Sequence, residues 1–430
     1  MEKIAILNYP GSKRRLLDFI YKNSNQYIDS NKIVLDIFAG TGCVAEHFKN
    51  KGLKVATNDS EIYSTNISNT ILNGFQSKFY NNDTFEVNFT INKNKLLEYF
   101  NELLHIEQKM ILEANKKLIQ FNSELIKIWN LPENFKLNNI DIKSIADLNQ
   151  NISVIPFALF TLYYSGSYFG LEQSIEIDSI RYAIEKSHKS IQSSLLTCLY
   201  YAMKECSFSK DGHMAQPLNQ EKNFKRLIKC RGKSIYETFF KLLSELSLLE
   251  IADSVSINRN ETFLKLLHDK SFMSKVGTIY ADPPYTDMQY SRYFHLLITV
   301  SNYEYPNLTY KNGKITAGLY ANNRFQSSIS NKSKALYDLE TMIKFASENK
   351  IVLIFSYGFP VDTERQTISR YTMNINELIN KMKFYYKTVK IFKEEFYHCN
   401  NRNRETKKVY EYLIVGVPTR RDINDNSKDT

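Results

Sequence analysis

A chain of 430 residues is too long for one ordinary core and predicts two to three domains. Its formal net charge of +10 favours a polyanionic partner, nucleic acid first and an anionic membrane surface second. The five cysteines (43, 198, 206, 230 and 399) form no Cys-x-x-Cys pair and the seven histidines show no metal-ligand spacing, which argues against a disulfide framework and against a metal site.

The opening stretch, "MEKIAILNYPGSKRR", is too short and too polar for a signal peptide, so a reducing cytoplasm is the expected compartment. Within "NYPGSKRRLL" at 8–17, Tyr9 offers a ring face, Gly11 a turn and Lys13 a cation just before an expected helix. Lys13 could pair with a ligand carboxylate; taken by itself it reads as a solvated lysine.

"KIVLDI" at 32–37 reads as a buried strand, "FAGTGCVAEHF" as a glycine turn entering a helix, and "LKVATND" at 53–59 as the next strand, ending in Asp59. This order opens a parallel, doubly wound sheet. The turn places Asp36 and Phe38 at a strand end, followed by Gly40 and Gly42, which let the chain turn tightly and a ligand approach closely. It lacks the third glycine of the dinucleotide fingerprint, and an acid at 36 would repel a pyrophosphate. A cationic, donor-rich nucleoside suits it better, with Asp59 positioned to accept ribose hydroxyls. The competing reading is an ordinary strand-to-helix turn.

Residues 93–129 carry apolar side chains in steps of three and four, from Leu97 and Phe100 through Leu104, Ile111, Ala114, Leu118, Phe121 and Leu125 to Ile128. Glu107 is the one break in the series. A single helix here would be roughly 50 Å long, ended by "NLPEN" at 130–134. "ISVIPFALFTLYYSGSYFG" at 152–170 has no charge, but its central Pro156, two glycines and four Ser/Thr predict a buried helix and turn rather than a membrane span.

Residues 175–250 look helical. Within them "EKNFKRLIKCRGK" sets Lys222, Lys225, Arg226, Lys229, Arg231 and Lys233 against one acid, a candidate phosphate-binding face or a merely solvated one.

"GTIYA" at 277–281 restores the parallel-strand signature and leads into "YADPPYTDMQY". Further strands are expected at "IVLIFSYG" (351–358) and "VYEYLIVGV" (409–417), with a basic loop "NRNRETKK" (401–408) before the last and a disordered tail over 419–430. His295, in "SRYFHLL", reads as structural, and Tyr290 and Arg292 as pocket-wall residues without an assigned role.

An aromatic-x-Gly-x-Lys segment ("YPGSK"), then "DIFAGTG", a strand-end acid, an insertion and finally "DPPY" follow one another in this chain. That series resembles the adenine-N6 DNA methyltransferases of the deoxyadenosine methylase type, in their alpha arrangement. The resemblance implies a Rossmann-like class I methyltransferase, α/β with a mostly parallel sheet, plus a mostly helical inserted domain. It divides the chain into a cofactor-binding part (1–84), a target-recognition insertion (85–250), a DPPY part (251–418) and the tail.

S-adenosylmethionine is the implied cofactor, held by Tyr9, Gly11, Ser12, Lys13, Asp36, Phe38, Gly40, Gly42 and Asp59. Asn260 in "INRNETF" stands where the family usually has an acid near the cofactor adenine. Asp282, Pro283, Pro284 and Tyr285 are the implied catalytic residues. "GHMAQPL" (212–218) and "YANNRFQSSISNKSKA" (320–335), the latter with Arg324 as a DNA contact, also look like segments of one subfamily. Duplex DNA is the implied partner, with a cognate restriction endonuclease as a further one. Monomer and dimer both stay open, and no membrane is involved.

The chemistry fits these residue types. Adenine's exocyclic amine is a poor nucleophile because its lone pair is delocalised into the ring. Two acceptors on its N–H bonds, the Asp282 carboxylate and the Pro283 carbonyl, would free that lone pair, while Tyr285 stacks on the base. A base inside a duplex must flip out to reach such a pocket. Competing readings are DNA cytosine-N4 methylation, RNA adenine methylation and a DNA-binding homologue without activity.

Overall fold

Short runs rich in valine, isoleucine and aromatic residues form a seven-stranded sheet. The strands are β1 (Ile33–Asp36), β2 (Val55–Asn58), β3 (Ile257–Arg259), β4 (Val276–Ala281), β5 (Val352–Pro360), β6 (Thr388–Cys399) and β7 (Thr406–Val417), in the order β3-β2-β1-β4-β5-β7-β6. The computed structural model describes residues 6–7, 11–126, 135–210, 213–248, 255–361, 370–399 and 406–418. Tyr9, "NLPEN", most of the 401–408 loop and the 419–430 tail lie outside the described residues.

β1, β2, β3, β4 and β5 pair in parallel, and β7 runs antiparallel between β5 and β6. β4 and β5 are buried at every position, which is why they read as unbroken apolar runs and not as alternating ones. Ile20 of the Leu17–Ser24 helix and Val44 and Phe48 of the Cys43–Asn50 helix cover one face, over Val34, Val55 and Ile354. Leu339 and Met342 of the Lys332–Glu348 helix and Leu378 and Met382 of the Ile375–Tyr385 helix cover the other, over Leu35, Ile279 and Leu353. The chain steps outward from β1 to β3 in one direction and from β4 to β5 in the other. The strand order therefore reverses between β1 and β4, the place where open α/β sheets hold their ligands. This is the Rossmann-like sheet that the sequence predicts.

The chain divides into two compact units, and the sheet belongs to the one made of Tyr9–Leu72, Ser254–Gln289 and Gln326–Thr430. The other, mostly helical, comprises Met1–Asn8, Asn73–Asp253 and Tyr290–Phe325. It contains the stretch 85–250 expected as an insertion, begins earlier, and takes in 290–325 as well.

In the helical unit the expected single helix over 93–129 is two. One runs Asn82–Leu112, capped by the Asn81 side chain accepting from the Thr84 amide; the next runs Lys117–Ile126. Between them Ala114 turns left-handed at φ 46°, which ends the first helix. Glu107, the break in the apolar series, is buried, and its carboxylate accepts the Leu171 and Glu172 amides at 2.9 and 3.1 Å. It caps the start of the Leu171–Lys186 helix, whose first amides have no partner of their own.

Residues 155–170 of the uncharged stretch are buried, with a short helix at Leu159–Tyr163. Asp178 accepts from the Phe160 and Thr161 amides and from the Tyr303 hydroxyl, anchoring that stretch. No described helix is long and apolar enough to cross a membrane.

Candidate active site

Three strands of the sheet unit end in acids. β1 ends at Asp36, β2 runs into Asp59 and β4 runs into Asp282. In register Asp36 lies beside Thr57 of β2 and Tyr280 of β4, so the parallel pairing delivers all three carboxylates to the same end of the sheet.

The glycine turn links the first two. Gly40 and Gly42 have φ of 52° and 76°, and a Cβ on Gly42 would lie 2.8 Å from the Ser68 Cβ on the Ile62–Asn73 helix. Both the left-handed backbone and the close helix therefore require glycine at 42. The Gly40 amide donates to Asp59 Oδ2 at 2.8 Å and the Glu61 amide to Oδ1 at 2.9 Å. Asn260 donates its side-chain amide to the Asp59 carbonyl at 2.8 Å, so it sits beside that acid.

Burial raises the Asp59 pKa to about 6, against the pull of these backbone amides. Burial also pushes Asp36 well above the usual carboxylate range, with Asp282 and Asp59 adding to the push. Asp36 Oδ1 is buried and has no hydrogen-bond partner among the described residues. Phe38 packs its ring 5.2 Å from that of Phe263.

Asp282 is one arm of an ionic cluster. The Lys13 ammonium lies 3.1 Å from Asp282 Oδ1 and 2.9 and 3.0 Å from the two carboxylate oxygens of Glu411. Ser356 on β5 donates to Glu411 Oε1 at 2.5 Å. The Lys13 and Glu411 side chains are 4% and 0% exposed, whereas that of Asp282 keeps 19% of its surface open. Burial alone would lower the Lys13 pKa, but the two carboxylates overcome it and hold the pKa well above the lysine value. Burial raises that of Asp282, Lys13 opposes the rise and Glu411 adds to it.

Lys13, which taken by itself read as a solvated lysine, is buried and paired instead. An ammonium this buried needs counter-charges at contact distance, and two protein carboxylates supply them. Gly11, at φ 81°, and Ser12 form the turn that leads to it. Glu411 was missed. Its signal was an acid in the middle of the otherwise apolar and aromatic run "VYEYLIVGV".

After Pro283 and Pro284, Tyr285 stacks near Tyr371 (centroids 6.1 Å apart, planes at 14°) and meets Tyr357 edge-on at 5.6 Å. The Thr372 amide donates to the Tyr285 carbonyl and the Asp287 amide to that of Arg370, which pins the loop. Gly358 lies beside the ring, where a Cβ would make an ordinary contact, 3.4 Å from Tyr285 Cζ. Lys13 stands 5.3 Å from the Tyr285 centroid.

The basic residues of the helical unit divide. Lys222, Lys225 and Lys229 are exposed on and beside the Phe224–Arg231 helix. Arg226 is also exposed but ties to the Ser209 carbonyl at 2.7 Å, and Lys233 to the Glu205 carbonyl at 2.6 Å. Arg231, expected to contact phosphate, is buried. It donates to the Tyr168 and Ser167 carbonyls at 3.1 and 3.0 Å, and it crowds Gly170 together with Glu107. Helical periodicity turns position 231 inward, so it is a structural arginine.

Arg324 lies 4.6 Å over the Tyr320 ring, and Arg292 lies 5.3 Å over the same ring while donating to its hydroxyl. Tyr320 in turn donates to the Ala215 carbonyl, so the 212–218 and 320–335 segments meet here. His295 is buried against the Tyr168 hydroxyl, and burial lowers its pKa to about 3, which keeps it neutral.

The family model for D12 class N6 adenine-specific DNA methyltransferases matches residues 9–352. Modification methylase LlaI of Lactococcus lactis subsp. lactis is 23% identical over 359 residues, covering 81% of this chain and 46% of its own length. Modification methylase StsI of Streptococcus sanguinis is 22% identical over 415 residues, covering 95% and 51% respectively. The chain spans about half the length of these curated relatives. Since the family match runs from the segment before Lys13, through the glycine turn and Asp282, into β5, the protein belongs to the D12 class N6 adenine-specific DNA methyltransferases.

Proposed function

We propose that this chain transfers a methyl group from S-adenosylmethionine to the N6 amine of adenine in duplex DNA, on a flipped base, as the modification arm of a restriction-modification system. The observation that carries this reading is the convergence of Asp282 and Asp36 at the point where the strand order reverses. The names of the two relatives, both modification methylases, support the biological role.

The residues around the glycine turn fit the cofactor. The buried, unpartnered Oδ1 of Asp36 is an acceptor suited to a cationic or donor-rich group. Gly40 and Gly42 allow close approach, and each Asp59 oxygen, already taking one amide, has a lone pair left for a ribose hydroxyl. When bound, S-adenosylmethionine supplies a methyl on a sulfonium, already activated toward a nucleophile. Asp282 and the Pro283 carbonyl accept from the amine and orient its lone pair, and Tyr285 supports the base plane. Preorganised acceptors and orientation are the protein's contribution.

Transfer of labelled methyl to duplex DNA, with RNA as a control and modified-base sequencing of the product, tests this reading. Methyl-N4-cytosine, methylated RNA or no transfer would overturn it.

Asp59→Ala removes the proposed ribose acceptor and frees the Gly40 amide. Cofactor affinity should fall by roughly 2–4 kcal/mol, read by calorimetry. Unchanged affinity would place the ribose elsewhere.

The three cations left exposed after Arg226, Arg231 and Lys233 are set aside make a sharper test of phosphate contact. Changing Lys222, Lys225 and Lys229 to glutamine should weaken binding to specific and random duplexes alike. The slope of log affinity against log salt should shrink by about 0.9 per lost contact. The methylated sequence should not change, because phosphate contacts carry no base information. An unchanged slope would make this a solvated face.

A further inference from the structure

The acidic partner of Lys13 on β7 has no role in the chemistry described so far. Glu411 is fully buried on a strand interior, where an unpaired carboxylate is costly, yet its environment is built for the charge. Ser356 donates to one oxygen and the Lys13 ammonium reaches both. The register places Glu411 opposite Gly358, which lies beside the Tyr285 ring. Lys13 therefore serves two acids of unequal kind. Glu411 is closed off, and Asp282 is open to an approaching group.

Charge bookkeeping explains why two acids matter. An ammonium paired to Asp282 alone would form a closed ion pair and blunt that carboxylate as an acceptor. With Glu411 taking Lys13 on both oxygens, the three groups carry a net charge of −1, and only Oδ1 of Asp282 faces the ammonium. We infer that Glu411 is a positioning residue for methyl transfer: it holds Lys13 against Asp282 Oδ1 and leaves the other Asp282 oxygen to accept from the target amine. This inference rests on the proposed adenine methylation.

Glu411→Gln keeps the shape and removes the charge. Lys13 then pairs with Asp282 alone. Because Glu411 is among the causes that raise the Asp282 pKa, removing its charge lowers that pKa. The acid limb of the kcat profile should accordingly move to lower pH, by about half a unit or more. The other titratable groups facing the cluster, Tyr280, Tyr285, Tyr371, Asp36 and Cys43, are unchanged in the variant.

On the plateau, kcat should drop by about tenfold or more, while cofactor affinity stays within about twofold. Ser356→Ala, which removes the hydrogen bond that orients Glu411, should lower kcat by about three- to fivefold. A purely structural role would lower thermal stability and leave kcat of the folded protein in place, whereas the acid limb follows the lost charge in either case.

With wild-type protein methylating adenine, a folded E411Q protein of unchanged plateau kcat overturns the inference. If E411Q does not fold, S356A decides, and unchanged kcat there overturns it. Wild-type protein that transfers no methyl group to DNA overturns the functional reading, and this inference with it.

Discussion

Replacing Asp282 by alanine is expected to lower methyl transfer by about 10²- to 10⁴-fold, the range for losing a group that handles the reacting proton. Cofactor affinity should stay within a few-fold, because the residues proposed to hold the cofactor sit on the glycine turn and at Asp59. The fold should survive. Lys13 keeps Glu411 as its counter-charge at 2.9 and 3.0 Å, so the deletion leaves no buried ammonium unpaired. The Tyr285 loop keeps its backbone bonds to the 370–372 segment. Single-turnover transfer beside cofactor calorimetry separates the two effects. Near-normal turnover would remove Asp282 from the mechanism, and a large loss of cofactor affinity would move it to the cofactor side.

Arg231→Ala is expected to damage stability and to leave the electrostatics of DNA binding alone. Its guanidinium satisfies two carbonyls of the 167–168 turn and neutralises Glu107, whose carboxylate caps the Leu171–Lys186 helix. Burial lowers the Arg231 pKa to about 10, with Glu107 opposing, so the residue is still a cation near neutral pH. Removing it leaves a buried carboxylate without its counter-charge. Breaking such a pair costs about 3–5 kcal/mol. Lysine is a poor substitute, since a single ammonium does not reproduce the planar fork across both carbonyls. Denaturant unfolding measures the loss, and the salt slope of DNA binding in the folded fraction should not move. A stable R231A protein with a reduced salt slope would return Arg231 to the DNA-contacting face.

Much of the sheet unit was legible from local pattern. Unbroken apolar runs such as "KIVLDI" and "IVLIFSYG" announce strands buried on both faces; β1 forms within the first, and β5 begins in the second and runs on to Pro360. The turn after Asp36 showed its geometry in two glycines, both of which adopt positive φ. β3 was not legible as a strand. It is three residues of mixed polarity at the sheet edge, too short for any period to show.

Charge partners were decided by the tertiary structure. Lys13 and Glu411 are 398 residues apart in sequence and in contact in space. Lys13 looked solvated, and Glu411 looked like an interruption in a strand. Arg231 looked like one of six equivalent cations, until helix packing turned it inward among carbonyls while Lys222, Lys225 and Lys229 stayed outside. Glu107 broke an apolar stripe because a helix start 64 residues later needed an acceptor.

Period and turn chemistry are short-range properties, so the sequence by itself determined most of the strands, the glycine turn and the strand-end acids. A buried charge takes its meaning from the counter-charge within about 4 Å, in a medium where solvent no longer screens it. Which groups come that close depends on how distant strands and helices pack, and only the tertiary structure decided it.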